Sequence, residues 1–153
     1  MQSDDGGRRS RSIELRVARA SGRATLWEAL APKTTAAILE ALPLELDLLH
    51  CKWSGRACFV DFPLRAGSLQ ALESPVTSIY PGVLVLRPPP SGGTHAELLI
   101  AYGDAEFRWP DGRRYVTPFA EFEPGCDALL DALVRTGSEG KTRLRIASVE
   151  EPS

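Results

Sequence analysis

Aromatic residues at the ends of predicted structural elements are the first candidates for chemistry in this chain. Trp53-Ser54-Gly55 ends one strand-like segment, Tyr102 ends another, and Tyr80 ends a polar stretch. An indole or phenol ring at such a position can form the wall of a pocket, and a serine hydroxyl beside it can bind a polar group. Buried rings and an ordinary turn remain the structural alternatives.

A carboxylate and a guanidinium complete the candidate site. Glu73 lies in the polar stretch 65–79 and is the best candidate for a general acid or base. Arg56 is the arginine nearest to Trp53 along the chain, and an arginine can hold a carboxylate through two parallel hydrogen bonds. A solvated loop carboxylate and an exposed hairpin arginine are the alternatives. The predicted ligand-binding set is Trp53, Ser54, Arg56, Glu73, Tyr80 and Tyr102.

Other chemistries fit the spacing poorly. His50 and Cys51 are neighbours on a predicted strand, so their side chains point to opposite faces and cannot easily form a nucleophilic dyad. The interval from Cys51 to Cys58 is too wide for a zinc knuckle. Gly92-Gly93 precede a strand rather than a helix, which argues against a phosphate loop. The sequence therefore predicts no metal site and no cofactor.

Composition limits the class of protein. The 153 residues suit one domain, and the net charge of -2 argues against nucleic-acid binding through bulk phosphate attraction. No apolar run approaches the roughly 18 residues of a membrane span. The first residues have no apolar signal segment, so a cytoplasmic location is expected. Three cysteines, an odd number, argue against a disulfide scaffold.

The strongest strand signal is the apolar run 96–103, which stops at Gly103-Asp104. Shorter alternating segments lie on both sides of it, and none looks able to stand alone. We therefore expect a single domain over residues 12–148, with a disordered tail over 1–11 and a second tail over 149–153.

Two helices and about eight short strands are predicted around that run. Pro32 and Pro43 bracket the first helix, and the second, over 126–136, ends at Gly137. The closely spaced turns favour a mainly β fold, a small antiparallel closed barrel. The predicted strands are 13–18, 23–28, 44–53, 56–62, 83–86, 96–103, 114–122 and 142–146.

Three local features of the strands are also predicted. Ala20-Ser21-Gly22 forms the first turn, and a bulge at Leu49 accounts for a slip in the alternating pattern. If Ser54-Gly55 forms a two-residue turn, Cys51 faces Cys58 across the hairpin, with both thiols reduced.

Several motifs resemble those of known proteins. Ala31-Pro32-Lys33-Thr34-Thr35 is similar to the entry of the first helix of cyclophilins. The wider pattern, across roughly residues 12–147, resembles a narrower group of small bacterial proteins with a cyclophilin-like barrel and no assigned function. The motifs that carry this resemblance are Trp53-Ser54-Gly55, Tyr80-Pro81-Gly82, Glu97-Leu98-Leu99-Ile100-Ala101-Tyr102-Gly103 and Phe119-Ala120.

The resemblance implies a cyclophilin-like closed eight-stranded β-barrel with two short α-helices. It does not imply the activity of cyclophilins. Their Phe-His-Arg and Gln-Gly-Gly-Asp segments, which hold the catalytic arginine and the substrate-binding glutamine, are absent, and the only glutamines are Gln2 and Gln70. The narrower group implies an asparagine before Phe119-Ala120, where this chain has Thr117.

Three classes of function remain. The preferred one is a protein or metabolic enzyme that binds a polar or carboxylated metabolite in a pocket at the barrel mouth and lacks prolyl isomerase activity. The alternatives are a peptidyl-prolyl isomerase and a non-catalytic interaction module. The polarity of 65–79 favours the first, because a partner-binding face needs a larger apolar patch. Catalysis and a homodimer are left open, and no nucleic-acid or membrane partner is expected.

Overall fold

The computed structural model describes residues 10–65, 69, 71–89, 93–110 and 112–149. The predicted tails therefore lie mostly outside the described residues. Two helices are described, α1 (Pro32–Ala41) and α2 (Asp127–Glu139). The described strands are β1 (Ser12–Val17), β2 (Ala20–Leu26), β3 (Leu44–His50), β4 (Gly55–Pro63), β5 (Ser78–Ile79), β6 (Val83–Arg87), β7 (His95–Glu106), β8 (Arg108–Trp109), β9 (Gly112–Arg113), β10 (Thr117–Phe122) and β11 (Thr142–Ser148).

Eight of these strands close into an antiparallel barrel. They follow the order β4-β3-β11-β1-β2-β10-β6-β7, and β7 pairs back onto β4 from Gly55↔Ala105 to Pro63↔His95. Closure gives every barrel strand a neighbour on both sides. The predicted fold is confirmed. Strand β5 adds to β7 beside the barrel, and β8 pairs with β9 in a separate hairpin.

Alternating side chains fill the barrel interior. Leu15 of β1, Phe62 of β4 and Ile100 of β7 are fully buried there. The helices add Ile38 from α1 and Leu133 from α2 to the same cluster. Burial of each such side chain contributes about 1.5–3 kcal/mol, which makes this cluster the main source of stability.

A second apolar cluster lies on the outer face of β7. Leu99, Ala101 and Ala105 point away from the interior and are buried all the same. Phe107 and Val116 pack over them, together with partly buried residues of the segment 71–79. Strand β7 is thus apolar on both faces, which explains why its sequence reads as a continuous run rather than an alternation.

The turn between β1 and β2 was predicted wrongly. Val17 pairs with Ala20, so the turn consists of Ala18 and Arg19, and the return strand begins at Ala20. Ala18 takes a φ of 53°. Two-residue hairpin turns need positive φ, and the sequence signal of Gly22 placed the turn too late because alanine is rarely found in that conformation.

The predicted bulge at Leu49 and the predicted end of the second helix are also wrong. Leu49 continues β3 in regular pairing with Phe59 and is exposed on the outer side. Helix α2 passes Gly137 and ends at Gly140, which has a φ of 87° and is the glycine that the helix terminus requires.

The two cysteines of the β3–β4 hairpin do not face each other. His50 pairs with Cys58, and the amide of Cys51 donates to the carbonyl of Ala57. Cys58 therefore belongs to the interior cluster and Cys51 to the outer one. Both thiols, and that of Cys126, are unbridged and buried.

We predict three titratable thiols per unfolded chain and very slow reaction in the folded one. Burial raises the pKa of Cys51 to about 12 and that of Cys58 to about 11, so thiolate is scarce at pH 8. The measurement is the reaction with Ellman's reagent, with and without denaturant and without reductant. One thiol in the unfolded chain, or two fast ones in the folded chain, would contradict this.

Candidate functional site

An open cleft of about 790 Å³ lies at the end of β7. Its volume is within the roughly 300–1,000 Å³ of sites that bind small molecules. Aromatic, hydroxyl and charged groups share its lining. The lining residues are Trp53, Ser54, Gly55, Ser78, Ile79, Tyr80, Asp104, Ala105, Glu106 and Arg108.

Strand pairing brings these residues together. Ala105 of β7 pairs with Gly55 on one side and with Ile79 on the other. Trp53 lies two residues before β4 and Tyr80 immediately follows β5, so the two rings flank the end of β7. Residues distant in sequence thus meet because β7 is the central strand of three.

The two aromatic side chains are accessible. Trp53 is 58% and Tyr80 is 53% exposed, although both are large and largely apolar. The hydroxyl of Tyr80 donates a hydrogen bond of 2.5 Å to Oε2 of Glu121 on β10. This bond and burial raise the pKa of Tyr80 to about 12. The phenol is therefore neutral at pH 7, and its hydroxyl is held by the hydrogen bond to Glu121.

Ser54 fixes the neighbouring backbone. Its side chain is buried, and its Oγ accepts a hydrogen bond of 3.3 Å from the amide of Arg108. The Ser54 carbonyl accepts another, of 3.1 Å, from the amide of Glu106. Ser54 therefore holds the start of β8 against the β3–β4 connection, in addition to lining the cleft.

Three charged residues that the sequence analysis did not select line the cleft, namely Asp104, Glu106 and Arg108. Oε1 of Glu106 accepts a hydrogen bond of 3.1 Å from Arg108 and also pairs with Nε of Arg113. Asp104 is exposed and has no ion pair within the described part of the chain. The available signal was that these residues directly follow the apolar run 96–103, at the end of the central strand.

Glu73 lies elsewhere and caps helix α1. Its Oε1 accepts hydrogen bonds from the amide (2.6 Å) and hydroxyl (2.8 Å) of Thr34, and its Oε2 accepts one of 3.2 Å from the amide of Lys33. Ala31 at the N-cap cannot supply such a group itself. Burial alone would raise the pKa of Glu73, but the bonds from Thr34 and Lys33 outweigh it, and the pKa is lowered.

Arg56 and Tyr102 also lie outside the lining of the cleft. Arg56 packs across Gly103, where an added Cβ would come within 2.5 Å of its Cδ. Tyr102 packs against the interior cluster, and its hydroxyl is 2.6 Å from Nε2 of His50. Burial raises the pKa of Tyr102. The structure therefore brings together Trp53, Ser54 and Tyr80 of the predicted set.

Within the described ranges, no group of three or more metal-ligating side chains converges. The same residues include no helix that is long and apolar enough to cross a membrane.

A family model described as a protein of unknown function, DUF3830, matches residues 13–148. The chain belongs to the DUF3830 family. The expected resemblance to an uncharacterised cyclophilin-like family is confirmed. A search of curated proteins finds no match for this DUF3830 protein.

Solved structures resemble the DUF3830 protein in fold. McbB in complex with tryptophan has a TM-score of 0.65 and 16% identity, and the match covers 92% of this chain and 46% of McbB. A hypothetical protein from Archaeoglobus fulgidus has a TM-score of 0.60 and 15% identity, and the match covers 94% of this chain and 99% of that protein. A cyclophilin-type peptidyl-prolyl cis-trans isomerase from Cryptosporidium parvum has a TM-score of 0.58 and 10% identity, and the match covers 94% of this chain and 100% of that enzyme.

These likenesses show the cyclophilin-like fold. The chain spans about half the length of McbB and nearly all of the other two proteins.

We expect Glu73→Gln to lower the free energy of unfolding by about 1–2 kcal/mol at pH 7, because the amide replaces a charged acceptor at a helix N-terminus. The lowered pKa of Glu73 means that its contribution is present above its ordinary value of 4.5 and is lost as the pH falls through the folded-state pKa. Urea unfolding at several pH values measures the difference between the variant and the wild type.

The control is Asp131→Asn on the exposed face of α2, which should change stability by less than about 0.5 kcal/mol. A gap between wild type and Glu73→Gln that stays constant down to pH 3 would contradict the capping role.

Proposed function

We propose that this DUF3830 protein binds a small polar or carboxylated metabolite in the cleft between Trp53 and Tyr80. The observation that carries the proposal is the pair of accessible aromatic rings flanking ionised groups in a cleft of suitable volume. Flat apolar walls combined with a few polar groups suit an organic ligand. McbB, similar in fold, has been seen with tryptophan, which supports a small-molecule ligand.

The structure suggests a division of roles within the cleft. Trp53 and Tyr80 would contact the apolar part of the ligand, and the hydroxyl of Ser78 would bind a polar group. Arg108 takes the carboxylate-binding role first considered for Arg56, because Arg108 lines the cleft. Arg56, Glu73 and Tyr102 receive no ligand contact in this proposal. A reaction, if the protein performs one, would use Asp104 or Glu106 as the acid or base.

Prolyl isomerase activity is not part of the proposal. The arginine and glutamine segments on which cyclophilin catalysis depends are missing from the sequence. Phe119 and Ala120, the pair shared with the narrower group, are both fully buried and contribute to the interior cluster.

The chain should leave prolyl isomerisation at its uncatalysed rate. A protease-coupled assay on a proline-containing peptide measures this, with a cyclophilin as the positive control. Acceleration comparable to that control would overturn this part of the proposal.

We expect Trp53→Ala to weaken binding of an aromatic metabolite by roughly three- to tenfold, the loss of one aromatic contact. Calorimetric titration with L-tryptophan as the probe measures it. The control is Tyr115→Ala, which removes an aromatic ring that is 61% exposed and does not line the cleft. Equal losses in both variants, or no binding to the wild type at millimolar probe, would contradict the proposed site.

A further inference from the structure

The two carboxylates of the cleft, Asp104 and Glu106, differ in the number of ion pairs that they form with cationic side chains. Glu106 is shared between Arg108 and Arg113, so its charge is balanced by two guanidinium groups of the protein. Asp104 also lines the cleft, and no ion pair to it is found among the described residues. An exposed carboxylate in an aqueous cleft is free to attract a cation, whereas Glu106 would first have to give up an arginine.

The aromatic walls of the cleft also favour a positively charged ligand. The face of an indole or phenol ring carries partial negative charge and attracts ammonium groups held within about 6 Å of its centre. A phenol is neutral at pH 7, and the hydroxyl of Tyr80 donates a hydrogen bond to Glu121, so the ring offers its face without an ionised oxygen. Two rings, together with a carboxylate that has no ion pair among the described residues, are a combination suited to an organic amine.

We infer that the ligand of the cleft carries a protonated amine next to a planar apolar group, the amine lying against Asp104 and the planar group against Trp53 and Tyr80. This inference rests on the proposed function and names its ligand class. A carboxylate elsewhere on the ligand is compatible with it, since Arg108 keeps half of its side-chain surface exposed, 52%, while bonded to Glu106.

Three probes of nearly equal shape separate the charge from the ring. Phenethylamine is cationic at pH 7, 2-phenylethanol is neutral and 3-phenylpropionate is anionic. Their affinities are measured by quenching of tryptophan fluorescence and by calorimetry. We expect phenethylamine to bind roughly tenfold more tightly than 2-phenylethanol, which combines a cation–π contact with an exposed ion pair. This preference should shrink as salt is added.

Asp104→Asn should abolish the preference by lowering the affinity for phenethylamine to that for 2-phenylethanol. The matched control is Asp61→Asn on β4, which removes an exposed carboxylate outside the cleft that pairs only with His95 at 3.3 Å among the described residues. This control should keep the tenfold preference. Circular dichroism and the urea midpoint show that both variants remain folded.

The outcomes distinguish the two proposals. If all three probes bind equally, or the anion binds best, and Trp53→Ala weakens each of them, the cleft binds small molecules but the inference about the amine is wrong. A preference for the amine that survives Asp104→Asn also overturns the inference. If none of the probes binds to the wild type, the proposed function fails and the inference fails with it.

Discussion

The two apolar faces of β7 are the constraint on which the rest of the structure depends. One face, with Leu98 and Ile100, fills the barrel, and both edges are hydrogen-bonded to β4 and β6. The other face, with Leu99 and Ala101, would be exposed to water if no part of the chain packed on the outside of the barrel. Leaving such a surface exposed forfeits about 25 cal/mol for every Å² that could have been buried. The chain therefore needs a second layer outside the barrel.

That second layer creates the cleft. The segment 71–79 crosses the outer face, and its contacts include the hydrogen bonds that Glu73 accepts from α1 and the pairing of Val76 with Val116. It then joins β7 as β5 and delivers Tyr80 to one side of the cleft, opposite Trp53. The carboxylate that sequence analysis proposed for catalysis thus serves the site indirectly, since it anchors the segment that carries an aromatic wall.

Periodicity was sufficient to predict several barrel strands, because alternation in 13–18 and 142–146 and the apolar run in 96–103 report directly on burial, and the closed barrel followed from the closely spaced turns and the family resemblance. It could not predict contacts between residues distant in sequence. Glu73 accepts hydrogen bonds from Thr34, some forty positions away in the sequence. The arginine that lines the cleft is Arg108 rather than Arg56, the arginine nearest to Trp53 along the chain. A register shift between Gly55 and Ala57 also lies at Arg56, and no local pattern signalled it. Whether Cys51 faces Cys58 depended on the length of the turn, because a change of one residue shifts the pairing of the two strands.

The pairing of β1 with β11 has a further consequence. Ile13 lies opposite Ser148, and the amide of Val149 donates to the carbonyl of Ser12, so the two ends of the barrel domain leave it side by side. A domain built in this way can be inserted into a surface loop of a host protein without forcing the loop apart. By the same geometry, a circular permutant that joins these ends through a short linker and opens at an exposed turn should retain the barrel.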